Sequence, residues 1–367
     1  MHTLEIAIIA GARFGIGEPH AGGLERHTEV LARQLAGRGH AVTVFAGTGA
    51  DHDDADLPYV VRALAVQPLV LSDAARADVS MPPEQFMVEH DAYLELAVRL
   101  QDEQFDVVHN NSLHYLPVVT AWKAATVHTL HTPPTPWLES AHRIRRQRAI
   151  ACTVVSVSRD NARRWGDLTH RVIHNGVDLE LWAPSGTRGP HAFWSGRLVP
   201  EKGPDLAIAA ARAAGVPLVL AGPIHDLGFF ERAVQPHLGA ECTYLGHCDA
   251  ATTARLLAAS SVALVTPRWD EPFGLVVAEA LACGTPVAAF ARGAVPELLD
   301  DDIGACAPPD DVRRLADAID VALRCDPARC RAVAVERYSA DLMAERYEQT
   351  YVEFVEGDVR PGLVGSR

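Results

Sequence analysis

Two glutamates eight positions apart, Glu271 and Glu279, mark the most chemically informative stretch of the chain, PRWDEPFGLVVAEALACGTPVAAFARGAVPE from Pro267 to Glu297. Around the second of them Leu275, Val276, Val277, Ala278, Ala280, Leu281 and Ala282 are apolar on every face, the pattern of a buried helix rather than a surface one. A carboxylate inside such a helix is costly unless donors from the protein or a ligand meet it. The turn Pro272-Phe273-Gly274 precedes the helix, and Cys283-Gly284-Thr285-Pro286 stops it. Its N-terminus therefore offers unpaired N–H groups and a partial positive charge, a seat for phosphate. An anion there, flanked by two carboxylates able to grip hydroxyls, points to a sugar nucleotide. A glycosidase dyad is the competing use of two glutamates. Retaining hydrolysis needs carboxyl groups about 5 Å apart, whereas eight residues of helical path separate these by up to about 12 Å.

Other residues carry complementary chemistry. Gly196-Arg197-Leu198-Val199-Pro200-Glu201-Lys202-Gly203 puts two cations in a loop between a strand and a helix, a forked donor and a point charge suited to a diphosphate whose charge grows as a sugar departs. His109 and His131 each end an apolar strand pattern, and His131 opens the loop Thr132-Pro133-Pro134-Thr135-Pro136-Trp137, whose prolines argue against helix and which offers an aromatic face. His109, His114, His128 and His131 lie close in sequence, but no carboxylate at metal-ligand spacing accompanies them, so no metal is expected. Glycines at 11, 15, 17, 22 and 23 do not make GxGxxG, and Phe45-Ala46-Gly47 lacks the acid that would hold an adenosine ribose. A nicotinamide or flavin enzyme is therefore disfavoured. Asp51, Asp53, Asp54 and Asp56 offer a D-x-D reading, yet nothing apolar frames them and a solvated loop tip is the simpler expectation.

Glu271, seven intervening residues and Glu279, in the setting EPFGLVVAEALACGTPV, resemble the signature of retaining glycosyltransferases of family 4, which have the GT-B architecture. That resemblance implies an α/β fold of two Rossmann-like domains with parallel sheets facing a central cleft. Residues 1–168 would form the N-terminal, acceptor-side domain and 169–337 the nucleotide-sugar-binding one, with a C-terminal helix over 338–358 packing back on the first. It further implies that Glu271 holds donor-sugar hydroxyls, that backbone N–H groups at Phe273, Gly274 and Leu275 meet sugar and phosphate, and that Glu279 grips the ribose. Gly22-Gly23-Leu24-Glu25-Arg26-His27 resembles the family's N-terminal loop, where Gly22 and Gly23 would let backbone approach the diphosphate. Thr129-Leu130-His131 matches a Thr-x-His that sets the histidine against the donor sugar. Arg197 and Lys202 would stabilise the leaving group, and Tyr244-Leu245-Gly246-His247 would border the base pocket, with Gly246 among the binding residues. The implied activity is metal-independent hexosyl transfer with retention, from a UDP-sugar or, next, GDP-mannose. No cofactor is implied beyond the donor itself. The acceptor would be a sugar, a lipid-linked glycan or a small natural product. Alternatives are a GT-B sugar-nucleotide epimerase or hydrolase, and a non-catalytic sugar-nucleotide binder. Arg268 and Trp269 depart from the small polar residues expected before Glu271, which leaves the donor open.

The elements that must position these groups follow from hydrophobic pattern. Leu4–Ala10, a glycine-rich loop, a helical pattern over Leu24–Gly37 and His40–Ala46 read as strand, loop, helix, strand, hence a parallel sheet with ligands at the strands' carboxyl ends. Phe105–His109, Thr126–Leu130 and Thr153–Val157 continue that series. Val172–Asp178 reads as a strand with an Asn-Gly turn near the domain boundary. His191–Ser195, a helix over Asp205–Ala213 and Val216–Ala221 begin a second α/β half. Asp341–Val355 is an amphipathic terminal helix, and a loose tail is expected from Pro361.

The 367 residues suffice for two domains, and a net charge of -14 argues against nucleic acid as a partner. Arg143, Arg145, Arg146 and Arg148, then Arg159, Arg163 and Arg164, stand out in so acidic a chain. A solvated helix face is the simpler reading, an anionic acceptor or peripheral membrane contact the other. Seven scattered cysteines without a CxxC pair suggest reduced thiols, and no apolar run approaches a membrane span. The segment Met1–Ala10 is too short, and too uncharged at its start, for a signal peptide, so a cytoplasmic protein is expected. Oligomeric state is not legible.

Overall fold

A computed structural model describes residues 3–47, 57–64, 66–77 and 82–357. It divides into two compact units. Unit 1 comprises 1–156, 164–173 and 344–367, and unit 2 comprises 157–163 and 174–343. The aspartates at 51, 53, 54 and 56 and the segment from Pro361 lie outside the described residues.

Unit 1 holds a seven-stranded, wholly parallel sheet made of β1 (Glu5–Ile9), β2 (Ala41–Ala46), β3 (Val60–Ala63), β4 (Val107–Asn110), β5 (Ala125–Leu130), β6 (Thr153–Ser156) and β7 (Arg171–Val172), in the order β3-β2-β1-β4-β5-β6-β7. The central strands read as near-continuous apolar runs because helices cover both faces of a parallel sheet. β4 and β6 are buried at every position. The register pairs Ile9 with Asn110 and Asn110 with His128, so β1 and β4 finish together, β5 runs two residues further, and their following loops emerge at one edge.

Unit 2 repeats the plan with six parallel strands, β8 (Ala192–Ser195), β9 (Leu218–Ala221), β10 (Cys242–Tyr244), β11 (Val262–Val265), β12 (Val287–Phe290) and β13 (Gly304–Ala307), ordered β10-β9-β8-β11-β12-β13. In both sheets strand order reverses beside the first strand, and loops at that switch point are where doubly wound sheets bind ligands.

The C-terminal helix Ala340–Val355 belongs to unit 1 from Ala344 onward. There Tyr347 and Tyr351 are fully buried and Glu348 accepts from Arg38 at 2.9 Å and lies 3.2 Å from His40 Nε2. Among the described residues no helix is long and apolar enough to cross a membrane.

Some local expectations fail for identifiable reasons. Pro136 and Trp137 are helical: Thr135 caps the helix Pro136–Gln147, and proline at the first helical position needs no N–H partner. The strand expected over Val172–Asp178 shrinks to the two residues of β7, and beyond it Val177 makes only an isolated bridge to Ser339. Arg145 is 4% exposed and donates to the Ile150 carbonyl at 3.0 Å, so it holds a helix end, while Arg143, Arg146 and Arg148 are exposed.

Candidate active site

In unit 2 the loops after β8 and β11 bring two sequence-predicted residues into contact. Lys202 Nζ lies 2.8 Å from Glu271 Oε2, and the pair is largely covered, with side chains 23% and 16% exposed. Such a pair is screened less than a surface one. Trp269 Nε1 donates to the same oxygen at 2.9 Å, and its ring centroid lies 5.0 Å from Lys202 Nζ. Arg197 stands apart from that pair, with Glu201 at 3.6 Å and 40% of its side chain exposed.

Several contacts fasten these loops together. Thr266 Oγ1 accepts from Trp194 Nε1 at 3.0 Å and faces the carbonyls of Lys202 and Gly203 at 3.1 and 2.8 Å. Arg268 N donates to the Glu201 carbonyl at 2.8 Å, and its guanidinium grips Asp205 with two bonds of 2.8 and 2.6 Å. Asp205's hydrogen bonds raise the Arg268 pKa further, against some loss from burial. Beneath Glu271, Gly293 adopts φ +57, and a Cβ there would stand 2.3 Å from the Glu271 carbonyl oxygen. Only glycine fits at that approach. Ala294 N donates to the same carbonyl at 2.8 Å.

The helix Leu275–Ala282 starts from Gly274 in the left-handed region at φ +94. Glu279 is 1% exposed, with half-buried Leu275 and Val276 one turn ahead on its side of the helix. The Phe273 ring is buried near His174 and Tyr338, so only its backbone is available to a ligand. At the sheet edge Gly246 has φ +82 and its carbonyl accepts from Gly222 N at 2.8 Å. Glu297, which closes the informative stretch, accepts from Arg159 N, Asp160 N and His174 Nε2 at 3.0, 2.8 and 2.9 Å. Burial pushes its carboxyl up, but those donors hold it below the ordinary value.

In unit 1, His131 Nε2 lies 2.9 Å from Asn111 Oδ1, and the ring packs edge-on to His27 at 4.7 Å. Burial, with His27 and His109 nearby, keeps its pKa well below 6.5 and the ring neutral. With Asn111 accepting, Nε2 carries the proton and Nδ1 is left an acceptor. His109 lies between Tyr351 Oη at 2.6 Å and Thr129 Oγ1 at 2.7 Å, its pKa lowered to about 3 by burial, which fits a structural role. Gly22 precedes the helix Gly23–Gly37 with extended backbone. The Glu25 carboxylate lies 3.3 Å from where a Gly22 Cβ would be, so a diphosphate approaching Gly22 and Gly23 would meet an acid. Sequence reasoning missed Asn111, Trp269's bond and Gly293. Of these only Trp269, a departure from the residue type expected there, left a signal in the sequence.

Two parallel-sheet Rossmann-like domains define the GT-B glycosyltransferase fold, and solved structures agree. Sucrose-phosphate synthase from Thermosynechococcus elongatus superposes with a TM-score of 0.74 at 23% identity, covering 96% of this chain and 99% of that one. HepE from Anabaena, in complex with UDP and glucose, gives 0.71 at 20% identity over 95% and 99%. Residues 21–181 match the profile described as Glycosyltransferase Family 4 and residues 185–337 that of Glycosyl transferases group 1. D-inositol 3-phosphate glycosyltransferase of Mycobacterium tuberculosis strain F11 is 30% identical over 379 residues, 88% of this chain and 76% of the relative. That of Mycobacterium avium strain 104 is 28% identical over 384 residues, 91% and 88% of the two chains. The chain belongs to glycosyltransferase family 4 and is a glycosyltransferase.

Proposed function

We propose that the protein transfers a hexosyl group from a nucleoside-diphosphate sugar, a UDP-sugar before GDP-mannose, to an acceptor hydroxyl, with retention and without a metal ion. The observation that carries this is the Glu271 carboxylate held by Lys202 at 2.8 Å just ahead of the glycine-led N-terminus of the helix Leu275–Ala282. A hydroxyl-gripping acid, a cation and a helix N-terminus in one place are what a sugar diphosphate needs.

In unit 2, Glu271 receives sugar hydroxyls and Glu279 the ribose. Gly274 and Leu275 offer backbone N–H groups, and Gly246 borders the base. Arg197 and Lys202 bear the charge that grows on the diphosphate. In unit 1, His131 offers a neutral ring, and Gly22 and Gly23 a backbone without side chains, as that unit's own candidate ligand contacts. The C–O bond from the anomeric carbon to the diphosphate breaks as the acceptor oxygen attacks from the same face, and the acceptor proton passes to the departing phosphate oxygen. HepE's complex with UDP and glucose and the inositol phosphate named for the mycobacterial relatives make UDP-sugars and a phosphorylated cyclitol the first pair to test.

The test is calorimetric titration with UDP-, GDP-, ADP- and dTDP-sugars, each with magnesium and with chelator, followed by transfer assays. Metal-independent binding of one nucleotide is expected, and Glu271→Gln should lower kcat/KM by about 100-fold or more with Tm unchanged. Binding of none, or wild-type turnover in the variant, would overturn the assignment. Donor turnover that needs no acceptor would point to an epimerase or hydrolase instead.

A further inference from the structure

Trp269 stands where this family's pattern led us to expect a small polar residue, and its surroundings give that departure a purpose. Glu271 Oε2 is met from two sides, by Lys202 Nζ at 2.8 Å and Trp269 Nε1 at 2.9 Å. The lysine alone would leave the carboxylate free to swing, because an ammonium on a flexible four-carbon stem accepts many geometries. An indole has one N–H on a rigid ring, so it adds a second, directional hold on the same carboxylate oxygen. The loop that carries the indole is itself fixed. The neighbouring Arg268 is tied to the Glu201 carbonyl, the Pro200 carbonyl and both carboxylate oxygens of Asp205 at 2.6 to 2.9 Å. The ring in turn lies under the Lys202 ammonium at 5.0 Å, a cation–π contact that holds the lysine beside the acid. With Oε2 doubly occupied, Oε1 is the oxygen left for a ligand hydroxyl.

We propose that Trp269 is a positioning and specificity-determining residue: it immobilises Glu271 so that one carboxylate oxygen, in one orientation, reads the donor sugar. This rests on Glu271 being the sugar-binding acid. Trp269 then acts on the sugar and not on the nucleotide, and it narrows the range of sugars accepted, since a fixed single acceptor rejects the epimer whose hydroxyl points away.

The experiment compares wild type, Trp269→Phe and Trp269→Ser. Phenylalanine keeps a smaller aromatic face beside Lys202 and loses the N–H, whereas serine loses both. For each protein, affinities for UDP, UDP-glucose and UDP-galactose are measured by calorimetry, and kcat and KM for the better sugar by transfer or donor hydrolysis. In Trp269→Phe, UDP affinity should stay within twofold, the advantage of the preferred UDP-sugar over its epimer should shrink, and kcat/KM should fall by about 10- to 100-fold, as expected for a misplaced site group. Serine should go further, with Tm little changed because the indole is only half-buried. Wild-type kcat/KM and epimer preference in Trp269→Phe would overturn the proposal. So would equal losses of UDP and UDP-sugar affinity, the mark of a merely structural role. A wild type that binds neither UDP nor UDP-sugars fails differently: the donor assignment falls, and this role with it.

Discussion

Gly293→Ala should impair catalysis although Gly293 is assigned no contact with the ligand. The added Cβ would stand 2.3 and 2.4 Å from the Glu271 carbonyl oxygen and amide nitrogen and 2.7 Å from the Asp270 carbonyl carbon, where ordinary contact begins at 3.4 Å. The Glu271 backbone must therefore recede by about 1 Å, a misplacement that can cost about 100-fold in rate. Stability suffers as well. A left-handed alanine costs roughly 1–2 kcal/mol, and overpacking adds about 1–3 kcal/mol. Together these correspond to a fall in Tm of roughly 5–15 °C for a unit of this size. Gly215→Ala is the control, because Gly215 has φ +67 but nothing within 4 Å of its Cβ position. It should lose about 1–2 kcal/mol and no activity. The assay is kcat/KM for transfer from the donor that binds, alongside thermal melts of both variants. Wild-type kcat/KM in Gly293→Ala, or equal losses in both variants, would refute the coupling of this glycine to Glu271.

Two further outcomes concern stability. Burial opposes charging His20, but Glu18 at 3.0 Å and Glu29 at 2.6 Å raise its pKa to about 9. Its stabilisation is therefore full below the unfolded value of about 6.5 and is lost as pH rises through about 9, a change on the order of 3 kcal/mol. The Tm gap between wild type and His20→Gln should close from pH 7 to 10, and a constant gap would contradict the assignment. Arg331 donates to the carbonyls of Trp182, Ala282 and Leu179 at 2.6, 2.7 and 2.9 Å, satisfying the end of the Glu279 helix. Arg331→Met should cost about 3 kcal/mol, visible as a lowered denaturation midpoint, and an unchanged midpoint would show those bonds to be worth little.

What the sequence disclosed and what it hid divide along the range of the interactions. The helix Leu275–Ala282 was legible because its signals are local: an all-apolar run, a glycine-led start and a Gly-Thr-Pro stop. The central strands β1, β2, β4, β5 and β6 were equally plain, since burial on both faces leaves no polar alternation to confuse them, whereas the more exposed edge strand β3 was not. Trp137 was misread as non-helical because three prolines outweighed Thr135, whose capping bond to Leu138 N only the fold displays. The Lys202–Glu271 pair joins residues 69 apart in sequence, and His131 finds Asn111 across 20, so neither contact leaves a trace in spacing. Trp269 was noticed as a departure, but the direction of its N–H depends on how Arg268 pins the loop. Glu25 beside Gly22 was hidden for the same reason.

The partners of His109 have a bearing on how this protein is made. Its Nδ1 is met by Tyr351, and the Thr129 hydroxyl that meets its Nε2 is met in turn by Tyr347, both tyrosines on the C-terminal helix. Most of unit 1 leaves the ribosome before any of unit 2, yet its interior lacks these phenols until nearly the whole chain has been translated. The first-made half must therefore wait, with His109 and Thr129 each short of a phenol partner at its centre, while the second is being synthesised. A nascent chain stalled before Ala344 would carry two complete sheets and an unfinished core. The order of synthesis thus leaves the stretch of this helix from Ala344 to Val355 to complete the half begun first.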